Sequence, residues 1–232
     1  MSTLIAPLEN ERSIEHSSKS RFNDNSNNLS NIFDDDVNIS IWKRELDSNT
    51  ISSADQILDK NSQLKISKVI QPQDVNKYLI DQLNSNISMY FVFGDIANLV
   101  EKFCNLFHLK YAWLRLDAID QQMCPRFHAD NVKCRLVTTY IGPGTEWLPS
   151  HLLDRSKLGS GSNGLSDLDS GLFSKKSDIQ RLSIGDVALL KGKAWKGNEK
   201  SGLVHRSPYE PGTYRRLYLT IDFSDIFTDI DM

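Results

Sequence analysis

Residues 124–140, "CPRFHADNVKCRLVTTY", set a His-x-Asp pair at the mouth of an apolar, β-branched run. The run "CRLVTTY" alternates as a half-buried strand does. On extended backbone, residues i and i+2 point to one face, so His128 and Asp130 can converge on one ion. The pair alone arises easily by chance and needs independent support.

Working outward, the chain changes period around this stretch. Upstream, "SSADQILDKN" and "QPQDVNKYLIDQLN" have helical spacing, the second with Val75, Leu79, Ile80 and Leu83 on one face and Pro72 near its start. "GDIANLVEKFCNLFH" is a stronger helix, with Ile96, Leu99, Val100, Phe103 and Phe107 forming an apolar stripe. From "YAWLRLDAI" on, alternation takes over and recurs in "KCRLVTTYIG", "DVALLKG", "GLVHRSP" and "RRLYLTIDF". "VNISIWKREL", from Val37, reads as a first strand or a docking segment. Helices followed by strands predict an α+β fold with an antiparallel barrel or sandwich as its core.

The domain expectation is a polar, flexible tail over residues 1–36, rich in Asn and Ser, and a single domain over 37–232. A Gly/Ser-rich loop at 156–178 interrupts the strands. Gly159, Gly161 and Gly164 spell G-x-G-x-x-G there, but no strand precedes them and no helix follows, so a dinucleotide site is rejected. Walker loops, nucleophile elbows and Cys-x-x-Cys pairs are absent from the sequence.

Bulk properties narrow the function classes. The chain has 232 residues, 27 Lys plus Arg and 30 Asp plus Glu. Without a basic stripe or a block of like charge, neither nucleic acid nor a membrane surface is an expected partner. Its apolar stretches are too short to span a bilayer, and its N-terminus lacks the order of a signal peptide. Three cysteines at unpatterned spacing argue against a disulfide framework and predict a cytoplasmic protein.

A metal site needs a third ligand, and His205 in "GLVHRSP" supplies one on another β-like segment. Two histidines and a carboxylate occupy one face of an octahedron and leave three positions open, a donor set suited to non-haem Fe(II). The order His-x-Asp, distant His, then a basic residue some ten positions on resembles the Fe(II)/2-oxoglutarate oxygenase superfamily. The resemblance implies that Arg216, or its neighbour Arg215, grips the far carboxylate of 2-oxoglutarate; a guanidinium pairs with carboxylate through two hydrogen bonds. Arg216, Tyr218 and Thr220 share one face of "RRLYLTIDF", and Arg215, Leu217, Leu219 and Ile221 the other. The "R-x-x-x-T" continuation, similar to prolyl-hydroxylase-like members, favours Arg216.

Arg126, Arg135, Tyr140, Trp147 and Thr220 are candidate pocket residues. His108 reads as a helix cap and His151 as a surface residue. A competing metal reading joins Cys124, His128, Cys134 and His205 into a thiolate-rich zinc site with a structural or regulatory role.

Finally, "NISIWKREL", "CPRFHADNVKCRLVTTYIGPGTEWLP", "VALLKGKAW", "GLVHRSP" and "RRLYLTIDF" together resemble the bacterial domain-of-unknown-function family 1826 over residues 37–223. That resemblance implies a cytoplasmic bacterial protein, with a loose link to zinc homeostasis. Combined, these observations predict a double-stranded β-helix (jelly-roll or cupin-like) with helices packed N-terminal to it. The leading activity is Fe(II)/2-oxoglutarate-dependent oxygenation of an unidentified small molecule or protein side chain, and the alternative is non-catalytic zinc binding.

Overall fold

A computed structural model describes residues 19–83, 89–208 and 215–224. The element order is β1 (Lys19–Asn23), β2 (Val37–Trp42), α1 (Ser48–Lys60), β3 (Lys65–Ile70), α2 (Val75–Leu83), α3 (Tyr90–Phe107), β4 (Ala112–Ile119), β5 (Cys134–Ile141), β6 (Glu146–Leu148), β7 (Gln180–Arg181), β8 (Val187–Lys191), β9 (Val204–Arg206) and β10 (Arg216–Phe223). Seven strands form one sheet in the order β1-β2-β8-β5-β10-β4-β3, and β7-β6-β9 form a second. Every pairing is antiparallel except β1 with β2. The protein is therefore of mixed helix and strand type with predominantly antiparallel sheets, as the change of period predicts.

Strand alternation divides the large sheet into two chemically different faces. On the helix side lie Leu114 and Leu116 of β4, Leu136 and Tyr140 of β5, and Leu217, Leu219 and Ile221 of β10, all in the main core. α3 covers them with Val92, Ile96, Leu99, Val100 and Phe103, spaced three and four apart as a buried helical stripe requires. The helix stops at His108, in left-handed backbone with φ of 54°, where the Leu109 N–H closes back on the Cys104 carbonyl at 2.8 Å. Pro72 opens a short 3-10 turn that feeds α2, whose Val75 and Leu79 are buried.

Two expectations change. The tail does not run to residue 36: β1 joins the sheet, and residues 26–33 form a 3-10 segment that buries Leu29 and Ile32 in the main core. Its polar composition hides two apolar anchors, and Asn25 caps the segment by accepting from the Asn27 N–H. Residues 1–18 lie outside the described residues. The helices also do not precede all the strands; β1 to β3 alternate with them.

One part-buried polar cluster ties α3 to the sheet. Arg44 grips Asp95 through two hydrogen bonds of 2.5 and 2.8 Å, and the Tyr140 hydroxyl donates to the same carboxylate at 2.6 Å. Arg44 also donates to the Gly185 carbonyl at 2.7 Å. Burial and the Asp95 charge push the Tyr140 phenol well up, so it stays a donor. Removing one member of such a network leaves the others buried without a counter-group. Asp95→Ala should therefore cost about 3 kcal/mol in a denaturant melt; a loss under about 0.5 kcal/mol would show that the cluster contributes little.

Candidate metal centre

The site lies on the other face of the large sheet, between it and β6-β9. The loop between β4 and β5 carries His128, which pairs with His205 of β9 through two backbone hydrogen bonds of 3.0 and 2.9 Å. This single bridge places the two imidazoles side by side, ring centres 4.7 Å apart. Asp130 lies between their Nε2 atoms, at 3.4 Å from His128 and 3.5 Å from His205. Among the described residues these three form a cluster whose ligand atoms all fall within 4.8 Å of one another. The expected ligand set is thus brought together by the fold.

The tautomers suit metal binding. His128 Nδ1 is 2.9 Å from the Arg126 carbonyl, and His205 Nδ1 is 3.3 Å from the Leu203 carbonyl. A carbonyl only accepts, so each Nδ1 donates its proton there, which leaves each Nε2 as the ring atom available to a metal. Burial lowers the His205 pKa to about 4, which keeps that ring neutral. The hydrogen bond with Asp130 raises His128 despite its burial. Burial alone would raise Asp130, but His128, His205 and Arg135 hold it well below the usual carboxylate range. An anionic carboxylate beside two imidazole Nε2 atoms at metal-ligand spacing is a donor set for a divalent ion.

Arg135 positions that carboxylate. One of its Nη atoms donates to Asp130 Oδ2, while its Nε and other Nη hold Asp222 at 2.8 and 3.1 Å. Arg115 pairs with the same Asp222 and donates to Thr220 at 3.2 Å. This chain of charges lies on the site-facing side of β4, β5 and β10. Asp222 and Arg115 were not foreseen, although each follows from alternation: Asp222 is two residues beyond Thr220, and Arg115 sits between the core residues Leu114 and Leu116.

Strand parity also separates the two candidate arginines. Arg216 is 1% exposed and donates to the Thr139 and Thr145 hydroxyls at 2.9 and 3.0 Å, its guanidinium 3.9 Å from the Tyr218 ring centre. Arg215 turns outward and pairs with Asp55 and Asp59 of α1. Gly142, with φ of +88°, allows the turn after β5 to lie against this segment; a Cβ there would collide with the Arg215 carbonyl. A cavity of about 280 Å³ is lined by His128 and His205 at one part and by Arg216, Thr145, Tyr218 and Thr220 at another.

Of the candidate pocket residues, Arg135 and Thr220 line this cavity. Tyr140 does not; its even-numbered position on β5 turns it to the helix side, where it meets Asp95. Trp147 is buried in the apolar cluster between the sheets, and Arg126 points away to Asp167 at 3.0 Å. The four-ligand set of Cys124, His128, Cys134 and His205 is not assembled. Cys134 faces the helix core, and burial raises its thiol far above the range in which a thiolate forms; Cys124 is exposed.

The sequence matches the family described as "Protein of unknown function (DUF1826)" over residues 23–222, and the chain belongs to that family. The match starts earlier than the motifs suggest, in keeping with the packed segment at 26–33. No curated protein matches in sequence. Among solved structures, the dioxygenase for auxin oxidation 1 of Arabidopsis thaliana in its 2-oxoglutarate complex aligns over 88% of this chain and 91% of its own, at 10% identity and a TM-score of 0.49. A putative oxygenase from Shewanella oneidensis aligns over 88% and 89%, at 12% identity and 0.44. HygX of Streptomyces hygroscopicus, with nickel and 2-oxoglutarate bound, aligns over 79% and 81%, at 11% identity and 0.44. TM-scores below 0.5 fix neither fold nor activity.

Arg135→Ala should weaken divalent-metal affinity about 10- to 100-fold, the usual effect of releasing a ligand's hydrogen-bond partner, read by competition against a chromophoric chelator. Unchanged affinity would show that Asp130 needs no such support. A metal must also displace the proton from His128, whose pKa is raised. Affinity should therefore fall as pH drops through the His128 value and stay flat above it.

Proposed function

We propose that this DUF1826 protein is a non-haem Fe(II)/2-oxoglutarate-dependent oxygenase built on a double-stranded β-helix. The observation that carries the proposal is one cavity lined by both histidines of the triad and by a buried arginine. His128 and His205 would bind the iron through Nε2, and Asp130 through its Oδ1, since Arg135 already occupies Oδ2. Iron(II) held by these three residues would supply oxygen activation, with oxygen as the oxidant, 2-oxoglutarate as the co-reductant and a substrate C–H bond as the group oxidised.

The remaining work belongs to the chain. Arg216 would pair with the far carboxylate of 2-oxoglutarate, because it is a buried guanidinium lining the same cavity as His128 and His205. The Thr139 and Thr145 hydroxyls fix the guanidinium plane, and the Tyr218 ring lies against it, so little side-chain entropy is lost on binding. Arg135 would hold Asp130 in one rotamer, with Asp222 and Arg115 behind it. Three neutral or anionic donors leave half of an octahedron for the keto acid and oxygen. Leu148, Val204 and Phe127, packed beside the bridge, keep water from its flank.

The test is an anaerobic titration of metal-free protein with Fe(II) and 2-oxoglutarate, following the visible metal-to-ligand charge-transfer band. A saturating band is expected, absent in His128→Ala. Arg216→Ala should weaken 2-oxoglutarate binding about 100-fold, corresponding to about 3 kcal/mol for a charge-assisted pair, whereas Arg215→Ala should leave it within about twofold. No band, with tight zinc binding in its place, would overturn the proposal.

A further inference from the structure

His128 also lines a second cavity. This open groove of about 880 Å³ also carries Arg126, Arg155, Lys193 and Lys200 on its walls, and no acidic side chain lines it among the described residues. The chain as a whole has more acids than bases. That the charged side chains of this lining are all basic is therefore a local arrangement and not a reflection of overall charge.

The cations are fastened to the metal loop. The Lys193 N–H donates to the Asp130 carbonyl at 2.9 Å, and the Ala194 and Gly192 N–H groups donate to Val132 and Lys133. A side chain on Gly192 would strike the Val132 carbonyl, so this close approach requires glycine. Arg155 is held from the other wall by the carbonyls of Ser201 and Gly202 and the Ser150 hydroxyl, at 2.9 to 3.1 Å. All three acceptors are neutral, so none offsets the guanidinium charge. Only Arg126 faces a carboxylate, that of Asp167. The third wall is the Gly/Ser-rich segment at 158–164, folded into 3-10 turns.

We propose that this groove is the substrate-recognition site and that it takes small molecules bearing a phosphate or carboxylate group. The inference rests on the oxygenase reading, which makes His128 a metal ligand and the groove the second approach to the metal. Its volume lies in the range of small-ligand clefts. Converging cations on low-dielectric walls attract anions, and a guanidinium recognises either group through paired hydrogen bonds.

Calorimetry on protein loaded anaerobically with Fe(II) and excess 2-oxoglutarate tests it, the excess keeping Arg216 occupied. The probes are glycerol 3-phosphate, glutarate and neutral glycerol. One or both anions should bind while glycerol does not, and which of them binds separates phosphate from carboxylate recognition. Affinity should fall tenfold or more in Lys193→Ala/Lys200→Ala, whose two side chains are exposed, and also fall in Arg126→Ala. Failure of both anions to bind, or equal binding by the double variant, would overturn the proposal and leave the charge-transfer band untouched. Lysine-dependent anion binding in a sample with no band would overturn the groove as a substrate site together with the oxygenase reading.

Discussion

The two-residue alternation of β4, β5 and β10 is the constraint on which the rest depends. In each strand one parity is aliphatic and packs under α3, while the other carries Arg115, Arg135, Thr139, Arg216, Thr220 and Asp222 toward the small sheet. Because the strands are neighbours in register, their polar residues form one surface. Shifting any strand by a single residue would bury arginines beneath the helices and expose leucines to the cavity. Register and chemistry are therefore specified by the same pattern.

Charges on that surface are expensive to desolvate, and the structure offsets the cost by sharing. Asp222 receives both Arg115 and Arg135, and Arg135 in turn reaches Asp130. Each charged group thus serves more than one neighbour, as a buried network needs if it is not to leave an orphan. Arg216 donates to two hydroxyls and lies against an aromatic ring.

Much of this was legible in the sequence because period-2 patterns report directly on faces. The helical spacing in "SSADQILDKN" and "GDIANLVEKFCNLFH" and the alternation of the central strands are realised as elements, and His128, Asp130 and His205, singled out by their spacing, lie together; between Arg215 and Arg216 the strand faces alone did not decide. What failed was long-range or mixed in signal. Tyr140 and Trp147 look like pocket residues by type, yet parity and the apolar cluster between the sheets claim them. The segment 26–33 has only two apolar residues buried among asparagines and serines, too few to stand out against a disordered composition. The groove could not be foreseen, since its cations come from segments around 126, 155 and 193–200 that only the fold brings together.

The bridge between His128 and His205 shows why a loop and a strand far apart in sequence can act as one rigid unit. Neither residue needs a side-chain contact to be placed; a reciprocal pair of backbone hydrogen bonds fixes both Cα positions, and a carbonyl two residues upstream of each ring fixes its rotation. Backbone bonds are indifferent to surface substitutions nearby, so the walls can vary while the triad stays put. The same loop then carries Asp130, whose carbonyl anchors Lys193. A member of the triad and a cation of the groove are thereby joined by one backbone hydrogen bond, which fixes the groove wall to the loop that carries His128.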